Sequence, residues 1–162
     1  MNIHSAKLVY FSPTMTTKHI VEGIAKGIQD GPIEYIDLTP PTAKKQEFKE
    51  FHSELAILGT PVYGGRVPVD AVFRLQRLRI HNTPAVVVVV YGNRAYDDAL
   101  LELRNIASEI GFKPIAGGAF IGEHSFNTEV TPIASGRPDA KDIEKAVEFG
   151  KKIREKIEKT HL

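Results

Sequence analysis

The 162-residue chain contains no cysteine. That absence excludes disulfides, thiolate metal sites, iron–sulfur ligation and any cysteine nucleophile. An excess of one charge is missing too. Twenty-one Lys and Arg stand against 20 Asp and Glu, for a net charge of +1, so nothing points to a nucleic-acid binder or an acidic tail. The longest apolar run, PAVVVVVYG from Pro84 to Gly92, is far too short to span a bilayer. No basic-then-apolar leader precedes the first strand-like run, and a soluble, cytoplasmic protein is the expectation. His4, His19, His52, His81 and His161 share no metal-ligand spacing. Asp97, Asp98 and Glu123 are too scattered for a paired-carboxylate site, which leaves solvated or capping roles. G-x-G-x-x-G and G-x-x-x-x-G-K-[ST] are both absent, so dinucleotide and P-loop triphosphate readings lose their main support. There is no repeat, low-complexity segment or linker. With 42% hydrophobic and 25% charged residues, residues 1–162 read as a single domain with an ordinary core.

What is present is an alternation of strands and helices. Strand-like runs fall at Ala6–Phe11, Ile33–Leu38, Glu54–Thr60, Ala85–Tyr91 and, loosened by glycines, Pro114–Gly122. Ile33–Leu38 alternates like an edge strand. The five consecutive valines of Ala85–Tyr91 predict a central strand buried on both faces. A helix is expected over Thr16–Gln29, with Ile20, Val21, Ile24, Ala25 and Ile28 as its stripe, ended by Gly31-Pro32. A second runs over Val69–Leu78, with Val72, Phe73 and Leu75 inward. A third covers Asp97–Ile110, with Leu100, Leu103, Ile106 and Ala107 inward and Gly111 past its end. The last is Asp139–Lys159, carrying Ile143, Val147, Gly150, Ile153 and Ile157. Pro40–Phe51 reads as a short helix resting on Phe48 and Phe51. The alternation predicts an α/β fold with a parallel sheet and helices on both faces. Two architectures fit: the flavodoxin-like order 2-1-3-4-5, or a half-Rossmann. In both, ligands bind beyond the carboxyl ends of the strands.

That rule directs attention to three loops. The first, SPTMTTK, carries hydroxyls at Ser12, Thr14, Thr16 and Thr17 and runs into a helix N-terminus. Free N–H groups, the helix dipole and neutral hydroxyl donors together suit a small terminal phosphate. N-capping by Thr14 or Thr16 would account for one hydroxyl or two. The second loop, GTPVYGGRVP from Gly59 to Pro68, combines glycines, stiffening prolines and a projecting Tyr63. The third, YGNRAYDD from Tyr91 to Asp98, again sets glycine beside an aromatic, Tyr96, and offers Asp97 as a helix cap. Glycine and tyrosine on two such loops suggest a flat, apolar ligand held between rings. A terminal phosphate joined to a flat ring system describes FMN.

SPTMTTK is similar to the phosphate loop of the flavodoxins, commonly S/T-x-T-G-x-T, with Ser12, Thr14, Thr16 and Thr17 at the phosphate positions. Met15 stands where that family usually has glycine. GTPVYGGRVP and YGNRAYDDALLEL resemble the two flavin-flanking loops. The likeness is greatest to the flavodoxin half of flavodoxin–ferredoxin fusion proteins of anaerobic bacteria and archaea, and it continues through GGAFIGEHSF and SGRPDAKDIEKAVEFGKKI. The resemblance implies a three-layer sandwich with a five-stranded parallel sheet in the order 2-1-3-4-5. It implies FMN, with Thr60, Pro61, Val62, Tyr63 and Gly64 bordering one side of the ring and Tyr91, Gly92, Asn93, Arg94 and Tyr96 the other. His124 would sit at the rim of the site, either for proton transfer or bonded to backbone.

Three functions follow as expectations. One is an electron carrier serving a redox protein or a small acceptor. Another is an FMN-dependent NAD(P)H-linked quinone or flavin reductase. A guanidinium from Arg66 or Arg94 near the ring's N1–C2=O edge would favour the latter by stabilising reduced, anionic flavin; the competing reading has both solvated, or paired with Asp97, Asp98 or Glu123. The last is a flavin-free binding module on the same fold. A response-regulator receiver would need an acceptor aspartate where Gly59-Thr60-Pro61 stands, and a low-molecular-weight phosphatase would need a cysteine.

Overall fold

A computed structural model describes residues 5–45, 47, 51 and 55–160. Five strands form one parallel sheet: β1 (Ala6–Tyr10), β2 (Ile33–Asp37), β3 (Leu55–Pro61), β4 (Thr83–Tyr91) and β5 (Phe112–Ile121), in the order β2-β1-β3-β4-β5. This is the flavodoxin-like arrangement, and it removes the half-Rossmann alternative. Four helices alternate with the strands: α1 (Thr16–Ile28), α2 (Val69–Leu75), α3 (Ala99–Glu109) and α4 (Ala140–Thr160).

The sheet divides the core in two. Leu8, Ile57, Val86, Val88 and Val90 face α1 and α4, whereas Val9, Leu58, Val87 and Val89 face α2 and α3. The valine run is therefore buried on both faces, as a central parallel strand requires. At roughly 1.5 kcal/mol or more per buried side chain, this one strand outweighs any single strained residue elsewhere. β2 is an edge strand, with Glu34, Tyr35 and Asp37 exposed. β5, the other edge, slips register beside Ala85/Val86 and tolerates Pro114, which an interior strand would not.

α1 buries Ile20, Val21, Ile24, Ala25 and Ile28, and the expected stripe is the observed one. It also packs closely on α4. A methyl added to Gly27 would overlap the Val147 carbonyl, and one on Gly150 the Ile24 carbonyl. α4 begins with a reciprocal cap. Asp139 Oδ1 accepts from Asp142 N–H at 3.0 Å, and Asp142 Oδ2 accepts from Asp139 N–H at 3.0 Å, satisfying two otherwise orphaned donors.

Two expectations need correction. α2 ends at Leu75, and its inward face is Ala71, Arg74 and Leu75; Phe73 is 63% exposed. Of the helix expected over Pro40–Phe51, the described residues show one 3-10 turn, Pro41–Lys44. Phe51 does enter the core, edge-on to Phe112 at 5.4 Å; Phe48 and Glu54 lie outside the described residues. Among the described residues no helix is long and apolar enough to cross a membrane.

Candidate functional site

The carboxyl ends of the strands converge on a cleft of about 270 Å³. Its floor and walls come from the loops after β1, β3, β4 and β5.

The first loop turns sharply between β1 and α1, and Ser12 pins it. Ser12 N–H donates to Thr39 Oγ1 at 2.8 Å, Ser12 O accepts from Met15 N–H at 3.2 Å, and Ser12 Oγ accepts from Lys18 N–H at 3.0 Å. The helix cap is thus made by Ser12 across six residues; neither Thr14 nor Thr16 makes it. Met15, at the N-cap position, has φ 67° and ψ −8° and makes no side-chain cap. That is the left-handed region, where a residue with a Cβ costs roughly 1–2 kcal/mol. The Met15 backbone therefore adopts the turn that a glycine would adopt freely. Its side chain is 45% exposed.

With the cap assigned to Ser12, the threonine hydroxyls are left for something else. Thr14 Oγ1 and Thr16 Oγ1 lie 3.3 Å apart on the cleft. Thr17 is fully buried against Gly59, and its Oγ1 has no hydrogen-bond partner; the same holds for Thr60 Oγ1 at the end of β3. A buried hydroxyl without a partner carries a cost of about 1–3 kcal/mol. Together with the open first turn of α1, the hydroxyls of Thr14, Thr16 and Thr17, which line the cleft, form a donor set suited to an anion; Thr60 lies outside it.

The second loop is a tight hairpin. Tyr63 and Arg66 exchange both backbone hydrogen bonds, at 2.9 and 3.1 Å, around Gly64 and Gly65 with φ 57° and 75°. Two consecutive positive φ values are those of a primed turn, for which Gly-Gly is well suited. The hairpin holds Tyr63 half-exposed on the cleft, and partial burial pushes its phenol pKa up. Arg66 does not face the cleft. Its guanidinium binds Glu102 on α3 through two bonds, Nε–Oε2 at 2.9 Å and a terminal nitrogen to Oε1 at 3.0 Å, while Glu102 also accepts Val67 N–H at 2.8 Å. The fork holds the Glu102 carboxyl below its ordinary range. Arg66 thus anchors the hairpin, through a partner the sequence did not suggest.

The third loop contributes Tyr91, Gly92 and Arg94 to the cleft. Asp97 leans on Gly65 and joins this loop to the hairpin; its φ is 40°, and it does not cap α3. Tyr96 packs edge-on against Tyr91 at 5.1 Å and faces a neighbouring groove between α3 and β5. His124, in the loop after β5, lies over Gly92 where any side chain would collide with the ring. Its Nδ1 accepts Phe126 N–H at 3.0 Å, so the neutral ring carries its proton on Nε2.

Of the residues expected at the site, Thr14, Thr16, Thr17, Pro61, Val62, Tyr63, Gly64, Tyr91, Gly92, Arg94 and His124 line this one cleft. Ser12, Met15, Thr60, Asn93 and Tyr96 do not. Pro13, Gly65, Val90, Ala95, Asp97, Gly122, Glu123 and Ser125 also line it, beyond the residues expected from the sequence. The signal for the last three was the fourth loop itself, which the switch-point rule did not single out. Glu123 is held by Gly136 N–H at 2.8 Å and Asn127 Nδ2 at 3.0 Å, which keeps its carboxyl pKa low. Among the described residues no group of three or more His, Asp and Glu could hold a metal ion.

By sequence, no family model and no curated protein matches the chain. By structure it is similar to a flavodoxin from the domain Archaea (TM-score 0.57, 16% identity, 95% of this chain and 99% of that one). It is similar to flavodoxin 2 of Bacillus cereus (TM-score 0.63, 16% identity, 94% and 99%). It also resembles part of rubredoxin oxygen:oxidoreductase from Desulfovibrio gigas (TM-score 0.63, 14% identity), covering 96% of this chain and 36% of that one. The fold is flavodoxin-like.

Proposed function

We propose that the chain binds FMN in this cleft and exchanges electrons with a redox protein or a small acceptor. One observation carries the reading. The glycine-like turn at Met15 delivers three threonines to the mouth of α1 while Ser12 alone caps the helix, leaving the Thr17 hydroxyl buried without a partner. A phosphate supplies the missing acceptor. Similarity to structures described as flavodoxins supports the same ligand.

Bound FMN would supply reversible electron transfer at its ring. The chain's part is to hold and shield it. Thr14, Thr16 and Thr17 would donate to the phosphate, helped by the positive end of α1. Tyr63 and Tyr91 would flank the ring. The hairpin, clamped by Arg66 and Glu102, would keep Tyr63 in place. Thr14→Ala combined with Thr17→Ala is expected to weaken FMN at least tenfold. Unchanged affinity in that variant would refute the phosphate assignment.

Arg94 and His124 on the cleft favour a second reading, an NAD(P)H-linked reductase of quinones or flavins. Arg94 places positive charge at the rim, and His124 Nε2 offers a proton. Flavin bleaching by NADPH alone, with sustained quinone turnover, would select the reductase. Bleaching only by a chemical or photochemical donor would select the carrier. A preparation that ignores added FMN would leave the flavin-free module.

A further inference from the structure

Arg74 is 3% exposed on the inward face of α2. Asp70 Oδ2, one turn earlier on α2, is 3.6 Å away and half-exposed, too distant for a short, well-aligned charged pair. The guanidinium is solvated by backbone instead. One terminal nitrogen, Nη1, donates to three successive carbonyls, those of Leu38, Thr39 (2.6 Å) and Pro40 (3.3 Å), just past β2. The cation also lies over the Phe11 ring, 5.3 Å from its centre. Burying a cation is costly unless its donors are met; here the segment 38–40 meets those of Nη1, while the buried Nε has no hydrogen-bond partner.

That segment holds the first loop. Leu38 N–H donates to Tyr10 O at 2.8 Å, and Thr39 N–H to Asp37 Oδ1 at 2.8 Å. These bonds and Arg74 fix Thr39 so that its Oγ1 accepts the Ser12 N–H at 2.8 Å. Ser12 then caps α1. Arg74 therefore touches the loop from two sides, through Phe11 and through Thr39, although it lines no part of the cleft.

We propose that Arg74, acting through Thr39, is a positioning residue that sets the turn from Ser12 to Met15 and so determines recognition of a ligand's phosphate. The proposal rests on the FMN reading above. It distinguishes the phosphate from the ring, because among the described residues Arg74 makes no hydrogen bond or ion pair with the loops that would flank the ring.

The test compares FMN with riboflavin, which carries the same ring without phosphate, on wild type, Arg74→Met, Thr39→Val and Thr39→Ser. Arg74→Met empties a buried cation site and carries a folding cost. Thr39→Val removes only the acceptor of the Ser12 N–H and keeps the shape of a half-buried side chain, so it serves as the second probe. Expected is a loss of at least tenfold in FMN affinity for Thr39→Val and for folded Arg74→Met, with riboflavin affinity within twofold of wild type and FMN binding recovered in Thr39→Ser. Equal losses for FMN and riboflavin would mark a merely structural role and overturn the proposal. So would Thr39→Val binding FMN as wild type does. Wild type that binds neither flavin would overturn the FMN reading itself, a separate and distinguishable failure.

Discussion

Met15 stands at the N-cap of α1 with its backbone in the left-handed region. At φ 67° it makes the turn of the missing glycine, with a cost of roughly 1–2 kcal/mol. Met15→Gly should therefore raise stability in urea unfolding by about 0.5–1 kcal/mol, the relief being partly offset by glycine's freedom in the unfolded chain. A fall in stability would mean that the methionine side chain contributes more than its conformation costs. Single residues were also where sequence reading was weakest. Four hydroxyls in one loop were legible as a donor set, but the division between Ser12 as cap and Thr17 as orphan depends on a contact with Thr39, 27 residues away. Nothing in the spacing of either segment announces it. Arg66 illustrates the same limit, since its partner Glu102 lies 36 residues on, along α3. A further residue-scale prediction concerns acid. Arg137 grips Asp142 in the cap of α4 and lowers its pKa from 3.8 to about 2. A depressed carboxyl stabilises the fold above its unfolded pKa and loses that contribution as pH falls through the folded one. The stability difference between wild type and Asp142→Asn should be full above about pH 4 and fade toward pH 2. A difference independent of pH over that window would show that the ion pair is not its source.

At the level of elements, periodicity read well wherever one residue type dominated a face. The isoleucine stripe of α1 and the valine run of β4 stand where expected, because burial on one or both faces leaves little freedom of assignment. α2 departs from the face its apolar residues predict, for a physical reason. Its inward stripe is Ala71, Arg74, Leu75 and, past its end, Leu78. A charged residue in the middle of that stripe makes Phe73 look like the inward choice. The misplaced phenylalanine and the buried arginine are one feature. Between α1 and α4, the contact at Gly27 and Gly150 leaves no room for a side chain, and the obstructing atoms are backbone. Gly27→Ala should cost about 3 kcal/mol or more, against the small gain that alanine normally brings to a helix. A melting temperature at or above that of wild type would show that the helices can separate without penalty.

On the scale of the whole molecule, the alternation of strands and helices was enough to reach the fold class, and the five-stranded order followed once the loop motifs were added. Solved structures of the same fold at 14–16% identity to this chain show how little of the sequence the architecture needs. The cleft was legible in outline for a topological reason: in an open parallel sheet, loops at the carboxyl ends meet at the switch between neighbours. Its fourth wall was not, because the stretch after β5 is long and irregular. That wall is built by side chains such as Glu123 and Asn127 bonding to backbone 6–13 residues farther on. We propose that all four loops together hold FMN. Titration of flavin-free wild-type protein with FMN, followed by flavin fluorescence and visible absorbance, tests it most directly. Saturable quenching at one FMN per chain is expected, with riboflavin bound more weakly. Linear, unsaturated signals for both flavins would contradict it.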